Sequence, residues 1–368
     1  MTATASLSIG DRDGMAGGLR ASLDRLRYRA QHYGLTLSLG VPGRLLSMAL
    51  SPSQRLDPAI FALLQQRYDT LLERDLDNVA RGYYPRDLLY QFPLFDYLRR
   101  VPEAIVDVPR FMLRRYRRGY DDLPEGLDRG RYPRYYLRTF HWQTDGWFSE
   151  RSARLYDFGV EILFGGTADI MRRMAIPPVV DAVRGVTRPR ILDLACGTGR
   201  FLFQLHRALP HAQLFGLDMS GPYLEAARKL LAGTDTSLIA DNAEAMPLAD
   251  AQFDAVTSVF LFHELPSDTR RRVMREAWRV LAPGGRFVVS DSAQLADSRE
   301  LEPALAAFSA AYHEPYYRGY VRDDLAAVMR ECGFEVEDSA PHLVSKVVVG
   351  RKPQRARRRR GAAKRRKS

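Results

Sequence analysis

The apolar positions of this 368-residue chain change their spacing along its length. Before about residue 130 the spacing is helical. Pro58 to Leu76 carries Ile60, Leu63, Leu64, Tyr68, Leu71 and Leu72 along one face, which predicts an amphipathic helix. Asp57 is a good cap for it and Pro58 a good first-turn residue. Leu88 to Arg118 mixes apolar residues with arginine and is broken by Pro93, Pro102 and Pro109, which predicts a set of short helices. Their apolar faces either pack into the body or lie on a membrane surface with the arginine stems extended. Ser149 to Met174 again reads as helical, interrupted at Gly165-Gly166.

From Arg190 onward short apolar runs alternate with helical patterns. Strands are predicted at Arg190–Leu194, Gln213–Leu217, Ser237–Ala240, Phe253–Phe260 and Arg286–Ser290. Helices are predicted at Arg200–Ala208, Gly221–Leu231, Asp268–Val280 and Arg322–Glu331, the last ending at Gly333. Pro283-Gly284-Gly285 reads as a turn. Strand–helix alternation of this kind predicts an α/β, Rossmann-like doubly wound sheet, here with a mostly helical N-terminal extension.

The first strand runs into a glycine turn, Ile191-Leu-Asp-Leu-Ala-Cys-Gly-Thr-Gly199, and a helix starts at once. Such a turn marks a ligand pocket at the carboxyl end of a parallel sheet. A dinucleotide turn needs a third glycine or alanine, and Leu202 stands in that slot. Asp193, four residues before Gly197, suits an ammonium rather than a phosphate. Asp218, at the end of the second strand, can accept from both hydroxyls of a ribose. An ammonium and a ribose together describe S-adenosylmethionine (SAM).

These residues resemble class I SAM-dependent methyltransferases over roughly residues 190–351. Ile191 to Gly199 is similar to the family's first motif, and Asp218-Met219 to its ribose acid and adenine contact. Asn242-Ala-Glu-Ala-Met-Pro247 with Phe253-Asp-Ala-Val256 resembles the adenine loop and fourth strand. Leu281-Ala-Pro-Gly-Gly285 with Arg286-Phe-Val-Val-Ser290 resembles the following turn and fifth strand. Within the family the chain is most similar to the ubiquinone/menaquinone C-methyltransferase group and its small-molecule relatives. The resemblance implies SAM as cofactor, contacted by Asp193, Ala195, Gly197, Gly199, Asp218, Met219, Asp241, Asn242 and Ala243. Many members carry Asp where Asn242 stands; Asn242 or the adjacent Asp241 then faces adenine. The family also implies a C-terminal antiparallel hairpin from Phe334–Glu337 and Val344–Val349, and a cap over the cofactor from Tyr156-Asp157 and Phe164-Gly165-Gly166.

Methyl transfer from a sulfonium asks the protein to align donor and acceptor and to exclude water. A base is needed only where the acceptor must lose a proton. His263 and Asp291, at the carboxyl ends of the fourth and fifth strands, are the candidates; each has a structural alternative, packing for His263 and helix capping for Asp291. The segment Tyr312 to Tyr320 supplies His313, Tyr316, Tyr317 and Arg318 either as an acceptor cover or as an ordinary structured loop. Tyr132, Tyr135, Tyr136, Phe140, Trp142, Trp147 and Phe148 form an aromatic cluster that walls a pocket for a flat or greasy substrate or seals a seam between domains.

Composition refines this picture. All of the net charge of +11 resides in residues 351–368, which hold 11 Lys and Arg and no acid; the rest is balanced at 44 to 44. That tail is expected to be disordered, as are residues 1–20, and either simply solubilises the chain or touches nucleic acid or anionic membrane weakly. Two cysteines without metal-type spacing argue against a disulfide framework or zinc site, and the absence of a long apolar run or leader argues for a cytoplasmic protein, at most peripheral to a membrane. The expected layout is a helical region at 21–130, an aromatic cap and linker at 131–180, and a methyltransferase domain at 181–350. The leading function is methylation of a small, lipophilic or phenolic acceptor. The alternatives are a nucleic-acid methyltransferase, which Leu261-Phe-His-Glu264 does not fit as a base-flipping motif, and a non-catalytic SAM-binding assembly protein.

Overall fold

A computed structural model describes residues 22–39 and 57–354. The expectations for residues 1–20 and for the chain beyond Gln354 lie outside the described residues. The helical region comprises α1 (residues 22–39), α2 (Pro58–Ala80), α3 (Leu94–Arg117), α4 (Glu150–Leu163), α5 (Ala168–Arg173) and α6 (Ile176–Ala182). It leads into β1 (Arg190–Leu194), α7 (Arg200–Ala208), β2 (Gln213–Asp218), α8 (Gly221–Leu230), β3 (Thr236–Ala240) and β4 (Phe253–Val259). The chain continues through α9 (Ser267–Val280), β5 (Leu281–Ser292), α10 (Glu302–Ala311), α11 (Tyr317–Arg322), α12 (Leu325–Glu331), β6 (Glu335–His342) and β7 (Ser345–Arg351).

The sheet has seven strands in the order β3-β2-β1-β4-β5-β7-β6. The first five are parallel, and β7 pairs antiparallel with both β5 and β6, as the family resemblance implies. β1 and β4 lie at the centre and are almost wholly buried, as strands covered on both faces must be. The strand order reverses between β1 and β4, so the crevice at their carboxyl ends is where a ligand binds in an open α/β sheet.

Several sequence expectations change in detail. The Pro283-Gly284-Gly285 segment is a bulged part of β5 rather than a separate turn. Gly285 is required there, because a Cβ would come within 2.6 Å of the Asp254 carbonyl. The helix expected over Arg322–Glu331 starts instead at Leu325, where Asp324 accepts from Ala326 N and ends the preceding α11 run. Leu88 to Arg118 is not a set of short helices: α3 runs through Pro102 and Pro109, both on its exposed side, where solvent can satisfy the carbonyls they free. The basic tail begins later than residue 351. Arg351 ends β7, and Lys352 is buried, donating to the carbonyls of Trp278 and Leu281 at 2.6 and 2.7 Å and lying over the Trp278 ring.

Helix α2 forms as its spacing predicts, with Asp57 accepting from Ala59 N at 2.8 Å. Its apolar face does not build a separate domain: Leu71 and Leu72 share one core with Tyr28 of α1, with α5 and α6, and with Ile191 and Leu202 beside the sheet. Inside that core sits Asp75, fully buried. Its carboxylate accepts from Tyr28 Oη, from Tyr84 Oη at 2.6 Å and from Arg173 Nε at 2.9 Å, so three elements converge on one charge. Burial alone would push that carboxyl up, but Arg173 and the two hydroxyls hold it below the usual carboxylate range. Asp75→Ala leaves the Arg173 guanidinium buried without its counter-ion and is expected to cost about 3–5 kcal/mol, measured by guanidinium chloride unfolding; a loss under about 1 kcal/mol, the scale of an exposed pair, is the contrary result.

Candidate functional site

The glycine turn after β1 is held in left-handed backbone conformations. Ala195, Gly197 and Gly199 have φ of 54°, 54° and 79°. Gly197 lines the pocket, and a Cβ there would meet only the Tyr223 ring, at 3.9 Å. Gly199 does not line it. A Cβ on Gly199 would lie 2.9 Å from Leu231 and 3.0 Å from Ala227, so this glycine serves the close approach of α7 to α8.

The two acids assigned from the sequence stand on either side of this turn. Asp193 is buried, and its one intramolecular bond among the described residues is from Thr257 Oγ1 at 2.7 Å. Burial, with Asp218 nearby, pushes its carboxyl up to about 7 against the opposing Thr257 bond. Arg172 and Arg200 also line the pocket but are bound to other carboxylates, and no cationic side chain pairs with Asp193, so its buried carboxylate fits a ligand that brings its own ammonium. Asp218 accepts from Gly197 N at 2.9 Å and Ser220 N at 2.8 Å, which fixes its carboxylate at the end of β2. Ala195, Met219, Asp241, Asn242 and Ala243 also line the pocket. Asn242 Oδ1 is taken by Glu244 N at 2.9 Å, whereas Asp241 spends one oxygen on Asn242 N. Asp241 therefore retains the freer acceptor of the two. These residues fit SAM by charge, by hydroxyl-accepting groups and by the aromatic walls around them.

The helical region reaches the turn directly. Thr198 Oγ1 donates to Asp157 of α4 at 2.8 Å. Arg200 Nε donates to Asp169 of α5 at 3.0 Å, and Arg172 Nη1 to the same carboxylate at 2.9 Å. Burial would raise Asp169, yet the Arg200 and Arg172 guanidiniums hold it well below the usual range. Glu161, in contrast, is pushed up to about 7 by burial and by Asp169, and accepts from Ala168 N and Asp169 N. Tyr156 and Asp157 line the pocket beside Phe260, which follows β4 at φ 58°, a strained value for an aromatic residue, and stacks on Phe164.

Tyr135, Tyr136, Phe140, Trp147 and Glu264 also line the pocket. Glu264 sits in a buried charged cluster. His141 Nε2 is 3.4 Å from its carboxylate and His141 Nδ1 is 2.8 Å from Glu314. His263 Nε2 is 3.9 Å from Glu264, and its Nδ1 is 2.7 Å from Asp291. Burial would lower both imidazoles, but the carboxylates dominate: Asp291, Glu314 and Glu264 push His263 up to about 9, and Glu314 and Glu264 push His141 up to about 10. The surrounding carboxylates thus favour the protonated form of both rings. Burial pushes Glu264 up, with the two imidazoles opposing it. His141, His263 and Glu314 set ligand-type atoms within 4.8 Å of one another; ion pairing among them and with Asp291 accounts for this geometry.

The sequence candidates for catalysis are therefore redistributed. Asp291 does not face the pocket: it is fully buried, and its oxygens accept from Phe262 N and His263. It is neither the acceptor-facing base nor a helix cap. His263 lies behind Glu264 rather than in the pocket wall. Trp147 lines the pocket, and Trp142 closes a short 3-10 turn whose tryptophan side chain lies outside the described residues. His313, Tyr316 and Tyr317 do not line it: His313 packs against Tyr120, Tyr316 lies beside Phe140, and Tyr317 bonds Ser292 Oγ at 2.7 Å. Sequence reasoning missed His141, Glu264 and Glu314. Glu264 adjoins His263 and was findable; His141 and Glu314 are brought in by the fold alone.

An open α/β sheet with acids near the carboxyl ends of β1 and β2 flanking a glycine turn defines a nucleoside-binding site. The chain carries a class I SAM-dependent methyltransferase domain: residues 191–285 match the family model described as a methyltransferase domain. The chain is similar to a demethylmenaquinone methyltransferase of Thermotoga maritima, 40% identical over 140 residues, covering 38% of this chain and 58% of that one. It is similar to a ubiquinone/menaquinone biosynthesis C-methyltransferase of Desulfotalea psychrophila, 36% identical over 137 residues, covering 37% and 53% respectively. The chain thus spans a little over half the length of these relatives. A solved SAM-dependent methyltransferase structure from Methanosarcina mazei superposes on 46% of this chain and 94% of its own, at 16% identity and a TM-score of 0.37.

Asp193 makes the cofactor assignment measurable. Asp193→Asn is expected to weaken S-adenosylhomocysteine binding about 10- to 100-fold, the scale of one charge-assisted hydrogen bond. The wild-type affinity should fall as the pH drops below about 7, where the carboxyl takes up a proton that binding must expel, and Asp193→Asn should lack that slope. Titration calorimetry across pH 5.5–8.5 (about three units around that value) reads both effects.

Proposed function

We propose that the protein transfers the methyl group of SAM to a small, lipophilic or phenolic acceptor, of the quinol type that the names of its similar relatives describe. The observation that carries this reading is an aromatic wall in the pocket lining, formed by Tyr135, Tyr136, Phe140 and Trp147, together with Glu264, whose carboxylate lies 3.4 Å from His141 and 3.9 Å from His263. Such a wall accepts a flat apolar ring and offers a single point of polar recognition for its hydroxyl group. The two cysteines, Cys196 and Cys332, are unpaired and fit the reducing setting of the cytoplasm.

When bound, SAM supplies an electrophilic methyl group on a sulfonium. The chain's own residues do the rest. Asp193 and Asp218 hold the amino acid and ribose ends, and Asp241 accepts from the adenine amino group. Tyr135, Tyr136, Phe140 and Trp147 exclude water and orient the acceptor ring. Glu264 Oε accepts the acceptor's hydroxyl proton as its ring becomes nucleophilic; once the ring carbon carries the methyl group, that carbon loses its own proton to solvent and Glu264 returns the first proton to the oxygen, which restores the aromatic ring and the carboxylate. The charge of His263 and His141 then offsets the negative charge gathering on the acceptor oxygen, while Asp291 fixes the His263 ring as a positioning residue. The carboxylates around His263 favour its protonated form, and His263 does not line the pocket, so the proposed base is Glu264 rather than His263 as the sequence suggests.

A panel of hydroquinones and phenols with and without isoprenoid-like tails, assayed with SAM carrying a labelled methyl group, tests this reading. Label should enter the tailed hydroquinones and the products should be C-methylated. Label appearing only in nucleic acid, or in no acceptor, contradicts it. On a reactive acceptor, Glu264→Gln should lower kcat about 10²- to 10⁴-fold with S-adenosylhomocysteine affinity unchanged. An unaltered kcat would remove Glu264 from the chemistry.

A further inference from the structure

Helix α3 carries an exposed apolar stripe that no other described residue covers. Phe95, Leu98, Ile105, Leu113 and Tyr116 follow one another at helical spacing, with Pro102 and Pro109 filling the gaps, and are 79%, 55%, 64%, 47% and 87% exposed. Of the fifteen large exposed hydrophobic side chains among the described residues, eight belong to this one helix. A soluble surface scatters such residues singly; a continuous stripe marks a surface that docks.

The charges of α3 are sorted in the same way. Beyond its first turn the acids face inward: Glu103 pairs with Arg154 at 2.9 Å, and Asp107 pairs with Arg151 at 3.1 Å and accepts from Thr144 Oγ1 at 2.7 Å. Arg114 is likewise turned inward, toward Asp122 at 3.1 Å and Thr144. The exposed arginines Arg99, Arg110 and Arg117 are spaced eleven and seven residues apart, which sets them along one border of the stripe. An apolar stripe bordered by cations, with every acid past the first turn engaged inward, is complementary to an anionic lipid surface and to few protein surfaces.

We infer that α3 docks the protein on an anionic membrane, apolar stripe in the interface and arginines against lipid phosphates. No helix among the described residues is long and apolar enough to cross a membrane, so the contact is peripheral. The inner face of α3 is joined through Asp107 and Thr144 to the segment carrying Phe140 and Trp147, so docking sets the aromatic wall of the pocket one layer from the bilayer. On the proposed function, a lipophilic acceptor then comes from the lipid rather than from water.

Flotation with vesicles of phosphatidylcholine, alone or mixed equally with phosphatidylglycerol, tests the docking. It reads binding without turnover, so a wrong acceptor leaves it untouched. The full chain, and the chain ending at Gln354, should float with the anionic vesicles and release as salt rises. Phe95→Ser/Ile105→Ser/Leu113→Ser should lose at least about tenfold in vesicle binding, with S-adenosylhomocysteine affinity and unfolding midpoint unchanged because these side chains are exposed. Arg99→Glu/Arg110→Glu/Arg117→Glu should lose binding to anionic vesicles. Any of four results overturns the inference: no flotation of the full chain, flotation unchanged in the serine variant, flotation lost with the tail alone, or a wild-type dimer that the serine variant converts to monomer.

Discussion

One buried carboxylate joins the two halves of this molecule. Asp169 of α5 is bound by Arg172 of its own helix and by Arg200, the first residue of the helix that follows the glycine turn. Two guanidiniums and one acid out of water are stable only as a set, because removing any member strands a charge in a low-dielectric interior. The pairing therefore fixes where α5 lies against α7. It also fixes α4, whose Asp157 holds Thr198 and whose Glu161 caps the start of α5. The loop that must present backbone groups to a cofactor is thus shaped by helices far upstream in the chain, and those helices are anchored in turn by Asp75 and Arg173.

The acceptor side is built on the opposite principle. There the charged groups are not neutralised in isolated pairs but shared, with His141 between Glu264 and Glu314, and His263 between Glu264 and Asp291. Buried networks of this kind have high stakes, since each member is tolerated only through its neighbours. Through Glu264, whose proton affinity burial raises, this network reaches the aromatic lining of the pocket.

What the sequence made legible follows from how local each signal is. The strand–turn–helix of Ile191 to Leu205, the acids at 193 and 218 and the C-terminal hairpin are short-range patterns, and the structure has them in the expected places. Tyr156 and Asp157 were also legible, through their order before the first strand. At Gly199 the structure shows a packing need that the motif alone does not reveal, since a glycine that contacts a ligand and one that lets two helices approach look alike in sequence. Asp291 was misread because strand-end position does not tell an open carboxylate from one already spent on Phe262 N and His263. His141 lies more than a hundred residues from Glu264, and no periodicity links them. For α3, prolines that read as helix breakers are accommodated because they lie on the exposed side.

The central claim is that the upstream helices shape the cofactor turn through Asp169. Hydrogen–deuterium exchange over residues 195–203, in wild type and in Asp169→Asn, measures it most directly. The account predicts faster exchange across Gly197 to Phe201 in the variant and an S-adenosylhomocysteine affinity weakened together with it, while the far strands β6 and β7 stay protected. Unchanged exchange in the turn with full affinity would show that the turn holds its own shape, and the account would be wrong.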